Sequence, residues 1–362
     1  MLAGRVVART MISANERLFQ RLGEFCSGRG APIAPNDGYR YVEGDEESDL
    51  IIKHLSLGRR VLFGSQRAAV HATLGDDDFI ILVGFDYLDE YVNRYPEFGE
   101  DVQESDCLPG HVVVTLSELE IRPERSGLEA QAFVEVADST TDSYEGHDVE
   151  ELKRLFPRLA VFDCRFSLDE NSFYQLVAKF AAAESAYGGG WISEALLGDL
   201  LALASISAKS FPYEAISRAV FDTDPRNLYL ALYRCLEATY AYKTSEELAK
   251  ALGLSIAWSE LAVKLDQKLS WRPREASSLE VVLRHASDTD LRKVVASFGK
   301  EGGDDAARSA ASSIYGLRNR IVHFGASLDS VNISDYDWNA VCCALVGVVY
   351  DVFHSAFDPV TV

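Results

Sequence analysis

The feature that most constrains this chain is a change of hydrophobic period partway along it. Before residue 210, short runs rich in Val, Ile and Phe alternate with Asp and Gly clusters, which is the pattern of strands joined by turns. They are RRVLFGS near 59–65, AAVHATL at 68–74, FIILVGF at 79–85, HVVVTLSELEI at 111–121, LEAQAFVEV at 128–136 and LAVFDCRFS at 159–167. After residue 210 such runs stop, and apolar residues recur at helical spacing between capping residues. With 362 residues there is room for two or three domains. The expected fold class is an α+β N-terminal domain with a mostly antiparallel sheet (residues 1–210), followed by an all-α helical bundle (211–362).

The helical segments are read from their caps. Ser13 with Glu16 is a capping box ahead of ERLFQRLGEFC, and helices from Asp169 to about Ala186 and from Trp191 to about Ala208 close the first region. In the second region Asp224-Pro225 places a cap before a proline at the first helical position, where its missing N–H is harmless. The helix that follows carries Leu228, Leu232, Cys235 and Leu236 on one stripe. Thr244 with Glu247 opens another helix, which ends at Gly253, and IAWSELAVKLDQKL (256–269) stops near Pro273. LEVVLRHA and DTDLRKVVASFG are shorter helices. A helix from about Asp304 to His323 precedes a last one that starts at Ser334 and carries Val341, Ala344, Leu345, Val348, Val349 and Val352. The expectation is a bundle around two long pairs of helices.

Charge narrows the function classes. The chain has 35 basic and 56 acidic residues, net −21. Broad binding to nucleic acid or anionic lipid is excluded, because phosphate binding rests on Lys and Arg. The surplus is uneven: residues 1–210 hold 19 basic and 36 acidic residues (−17), and residues 211–362 hold 16 and 20 (−4). The dense run Glu43, Asp45, Glu46, Glu47 and Asp49 reads as a solvated loop and lacks the alternation of a calcium loop. No stretch approaches the ~18 uninterrupted apolar residues of a membrane span. MLAGRVVARTMISANE has no apolar core of signal-peptide length, and the six cysteines form no CxxC pair; a cytoplasmic protein with reduced thiols is expected. His54, His71, His111, His147, His285 and His354 show no metal-ligand spacing, GGG at 188–190 lacks the lysine of a phosphate loop, and no GxSxG elbow occurs. No metal and no cofactor are expected.

One hexapeptide carries chemistry. IYGLRNRIVHFG contains Arg318-Asn319-Arg320-Ile321-Val322-His323, an arginine and a histidine with four residues between. Only Arg67 and His71 come close to repeating the spacing, one residue short. Ala310, Ile314, Leu317 and Ile321 fall on one helical stripe facing the core, while Asn319 and His323 are neighbours on the other side. Tyr315 and Val322 form a smaller apolar strip beside them. This strip is either a partner surface or one flank of a helix buried on both sides by its own domain. Arg308, Arg318 and Arg320 have no acid between them, so a local positive groove can form.

At the end of the penultimate long helix of an all-α region, the motif resembles the R-[N/D/H]-x3-H pattern of the HEPN superfamily, and LRNRIVHFG is closest to the Apea-like branch. The resemblance covers residues 220–357; residues 1–210 resemble no family. It implies a HEPN-type bundle and a metal-independent endoribonuclease of a bacterial anti-phage defence or toxin system, working as a homodimer with a composite site. Arg318, Asn319 and His323 are the catalytic candidates. His323 titrates near neutrality and sits in a last helical turn, where the dipole favours its cation. Arg318 suits a phosphate oxygen, and Asn319 can orient either the phosphate or the imidazole. The ribose 2′-OH would attack the adjacent phosphorus, leaving a 2′,3′-cyclic phosphate and a 5′-OH. Arg320 either binds RNA or forms a surface salt bridge. Tyr315 is a supporting candidate, and Glu237 either braces Arg318 or sits in solvent. The acidic N-terminal domain would sense or regulate, with a phage-derived trigger or an antitoxin as partner. The rival is a non-catalytic HEPN module that binds RNA, a nucleotide or a protein partner.

Overall fold

β-Branched and aromatic runs between tight turns build a single sheet in the first part of the chain. In the computed structural model, which describes residues 9–35, 38–98, 102–136, 140–141, 143–206, 211–273, 275–301, 303–322 and 331–357, five strands form it: β1 (Ser56–Leu62), β2 (Ala68–Leu74), β3 (Asp77–Val83), β4 (Val102–Ser105) and β5 (Leu159–Cys164). Their order is β1-β2-β3-β5-β4 and every pairing is antiparallel, as expected from the sequence. Gly75 turns β2 into β3 at φ +65°, a left-handed conformation suited to glycine. One face of the sheet sets Ala68, Val70, Ala72, Ile81, Val83 and Val161 into an apolar core. Helices α1 (Met11–Gly28), α2 (Glu46–His54), α4 (Pro109–Glu118) and α5 (Gly127–Glu135) cover that core. The short helices α3 (Leu88–Tyr91) and α6 (Val149–Lys153) lie between these elements in the chain.

Two expected strands are helices. In 111–121 the run of valines reads as a strand, yet Gly110 to Ser117 are all buried and form the middle of α4. A segment buried on every side has no polar face to reveal its period, and Pro109 starts it at a favoured helical position. Gly110 lets α2 approach: a Cβ there would lie 2.5 Å from the Ser48 carbonyl oxygen. In 128–136 the deciding signal is a cap. Ser126 Oγ accepts from the Glu129 N–H at 3.2 Å, and the Glu129 carboxylate accepts from the Ser126 N–H at 2.9 Å, starting α5.

The acidic run is also ordered. Asp45 caps α2, its carboxylate accepting from the Ser48 N–H at 2.8 Å, and Glu46, Glu47 and Asp49 occupy the first turn. Acids there complement the positive end of the helix dipole, so the expected solvated loop is a helix start. The cap of α1 is Thr10, with Ser13 as its box partner, so Ser13 is the third residue of the first turn and not the cap.

The chain divides into two compact units, Met1–Phe173 and Tyr174–Val362, inside α7 (Glu170–Tyr187) and well before the expected boundary near 210. The reason lies in the partners of the helices expected to close the first region. Gln175 Nε2 donates to the Ile206 carbonyl at 2.7 Å and Ser185 Oγ to the Val220 carbonyl at 2.7 Å. The next helix, α8 (Glu194–Leu203), packs on the chain's last helix.

The second unit continues with α9 (Tyr213–Val220), α10 (Pro225–Glu237), α11 (Tyr242–Leu252), α12 (Trp258–Leu269), α13 (Glu275–Leu283), α14 (Asp288–Ser297), α15 (Ala306–Val322) and α16 (Trp338–Phe357). It contains no strand among the described residues. Asp224 caps α10 as expected, accepting from the Arg226 N–H at 3.0 Å. The Thr244 box does not form, since α11 begins earlier, at Tyr242, without a side-chain cap. Ser334, the expected start of the last helix, lies in a short 3₁₀ turn before α16. α10 packs on α16, and α15 packs on the shorter α13 and α14 and also meets α10. α16 is long and apolar enough to cross a membrane, but Val341, Cys342, Leu345, Val348, Val349, Val352 and Phe353 are buried in the unit's own core. All six cysteines are unbridged.

Candidate functional site

α15 positions the motif. Ala310, Ile314 and Leu317 are buried along it and Ile321 is half-buried, so the expected core stripe holds and loosens toward the helix end. That rotation leaves Tyr315, Arg318, Asn319 and Arg320 half-buried and Val322 exposed. His323 lies outside the described residues.

α10 supplies the opposing wall. Tyr229, Tyr233 and Glu237 are spaced by four and share one face. Tyr229, fully buried, donates its hydroxyl to the Ile314 carbonyl at 2.6 Å and so fixes α15 against α10. Burial raises the Tyr229 hydroxyl well above its ordinary range, so it stays a protonated donor. One turn on, the Arg318 guanidinium carbon lies 5.6 Å from the Tyr233 ring centroid. Tyr240 donates to the Tyr233 hydroxyl at 3.1 Å, which holds that ring in place. One further turn on, a Glu237 carboxylate oxygen lies 3.9 Å from Arg318 Nη2. Arg318 Nη1 also donates to Asn319 Oδ1 at 3.0 Å.

These contacts do more to orient than to stabilise. A partly exposed ion pair contributes about 1 kcal/mol or less, and a cation–π contact of this kind about as much. The Arg318 side chain is only 17% exposed, however, so its flat fork has few other places to go. Of the two expected roles of Glu237, its approach to Arg318 at 3.9 Å is the geometry that bracing requires. Asn319 is turned onto the same guanidinium.

Other expected residues do not converge. Arg320 donates to the Tyr336 hydroxyl at 2.9 Å and makes no ion pair among the described residues. Tyr315 makes no hydrogen bond among the described residues. Arg308 lies 3.6 Å from Glu280, whose other oxygen accepts from Arg284 at 2.7 Å; it is partnered by acid and does not extend a positive groove from Arg318. Tyr240 and Tyr336 were not singled out from the sequence. Tyr240 follows Tyr233 by two helical turns but lies past the end of α10, where periodicity carries no information. No group of three or more His, Cys, Asp or Glu residues is arranged to hold a metal ion among the described residues. No protein-family model, curated protein or solved structure matches the chain.

Proposed function

We propose that the chain is a metal-independent endoribonuclease of the HEPN type. The observation that carries this reading is the held guanidinium: Arg318, with Asn319 on one nitrogen and Glu237 near the other, at the end of the penultimate long helix and five residues before His323. An oriented fork suits a phosphate oxygen, where negative charge grows as the 2′-OH attacks phosphorus. His323 is the proton-transfer residue, its ordinary pKa of about 6.5 matching neutral working conditions. One histidine supplies one of the two proton transfers, so the active form is a homodimer in which a second copy supplies the other. The acidic first unit acts as sensor or regulator in a defence or toxin role, and the cytoplasm is its place of action.

A second reading draws on the same pair. A guanidinium already faced by a carboxylate can serve the bundle alone, in a non-catalytic module that binds RNA, a nucleotide or a protein partner.

The test incubates the parent, Arg318→Ala and His323→Ala chains with total RNA and EDTA. The expected result is cleavage by the parent alone, with cyclic-phosphate ends and no cutting of the matching DNA. Equal behaviour of all three, on RNA and in cell growth on overexpression, overturns the catalytic reading. Light scattering at micromolar concentration should report a dimer, and a strict monomer overturns the composite site.

A further inference from the structure

The first unit carries its negative charge unevenly. Between Asp49 and Asp76 the chain has no acidic residue, yet it holds Lys53, Arg59, Arg60 and Arg67. This span forms the end of α2, all of β1, the following turn and all of β2.

β1 ends the sheet. It pairs with β2 on one side, and its outer row of backbone N–H and C=O groups faces no strand among the described residues. Such a row is a template for another strand. The register of β1 steps between Leu57, opposite Ala72, and Arg60, opposite Val70, so that Gly58 and Arg59 share the place opposite His71. Arg59 leans over that face, with Nη1 3.5 Å from His71 Nδ1 and 3.4 Å from the Leu168 carbonyl oxygen to which it donates. Arg60, next in sequence, is aligned with Val70 and projects to the opposite face. The exposed edge therefore has a guanidinium on each face.

Some other cations of the unit are held by carboxylates. Arg158 pairs with Asp89 and Glu104, and Arg154 pairs with Glu151. Lys53 and Arg60 are exposed and make no ion pair or side-chain hydrogen bond among the described residues. The same charges repel a second copy of β1 aligned on this edge. A carboxylate-bearing strand meets no such barrier. A nucleic-acid backbone would meet the arginines but leave the row of backbone donors and acceptors unmatched.

We propose that the outer edge of β1 is a strand-addition site for an extended acidic segment of a partner protein. The partner's backbone pairs with β1, and successive carboxylates reach Arg59 on one face and Arg60 on the other. This proposal is independent of the ribonuclease reading.

The probe is a short fluorescein-labelled peptide with two central glutamates flanked by valine and threonine, titrated with the full chain and followed by anisotropy. Saturable binding is expected, weaker as salt rises. Arg60→Glu should weaken it by about tenfold with an unchanged thermal melt, and should favour a version of the peptide with two central lysines. Methylating alternate peptide amides should abolish binding. No binding by the parent overturns the proposal, as does equal binding of the methylated peptide, which would leave charge without strand pairing. Stronger binding of a uridine oligonucleotide at the same residues would make the edge an RNA surface and likewise overturn it.

Discussion

Acidification charges a histidine that the first unit keeps dry. His147 is 1% exposed. The rings of Phe19, Phe133 and Tyr144 lie 4.8, 5.0 and 5.6 Å from its own. Neither ring nitrogen has a hydrogen-bond partner among the described residues. Burial first and the Arg40 charge second push it down from 6.5 to about 4, against a smaller opposing influence of the Phe133 backbone. In the unfolded chain the same imidazole takes its proton near pH 6.5. Between that value and about 4 the unfolded state binds more protons, so stability falls as pH falls. Above about 6.5 the contribution is fully present, and by about 4 it is lost. The gap sets an upper bound of about 3–4 kcal/mol, and local opening that hydrates the ring before full titration gives a working figure of ~2 kcal/mol. His111 is likewise pushed down to about 4, by burial and then by Lys153, and adds its own loss in the same window. Replacing His147 with Phe removes one of the two. All four tryptophans follow residue 173, so their fluorescence reports on the second unit. Hydrogen exchange in α1 and α5 is the better assay, with the two chains compared at each pH so that intrinsic exchange rates cancel. Between neutral pH and about 4 the parent should lose ~2 kcal/mol more protection than His147→Phe. Equal losses in the two chains would refute the reasoning.

Three further outcomes are expected. Tyr229→Phe removes the buried bond to the Ile314 carbonyl and should lower the second unit's stability by about 1 kcal/mol, read from the urea midpoint of tryptophan fluorescence. Gly110→Ala places a Cβ 2.5 Å from the Ser48 carbonyl oxygen and 2.8 Å from Ile51 Cβ; it should force α2 and α4 apart at a cost of about 1–3 kcal/mol, visible as a lower melting temperature by far-ultraviolet circular dichroism. Glu237→Gln removes the carboxylate beside Arg318 and, on the proposed ribonuclease reading, should lower the rate of RNA cleavage while changing stability by about 1 kcal/mol or less, with Glu237→Asp intermediate; a variant that cuts at the parent rate would remove Glu237 from the site.

Where a segment carries its own local punctuation, its sequence was enough to name its structure. AAVHATL, ended by Gly75, is β2 from first residue to last, and Asp224-Pro225 starts α10, because turns and caps are local properties. The facing of Tyr229, Tyr233 and Glu237 could be read from a spacing of four. Long-range matters could not. The valines of α4 are buried all round, so only the sheet below and α2 beside them select helix over strand. The Ser126–Glu129 box that starts α5 is a local signal, but the strand expected over 128–136 rested on composition alone. The division inside α7 depends on hydrogen bonds from Gln175 and Ser185 to residues more than thirty positions later, and no local signal records them. The same holds at the motif. Spacing, placement and the resemblance together singled out Arg318, but only the approach of α10 to α15 brings Glu237 and Tyr233 onto it, because their mutual distance is set by how two helices pack.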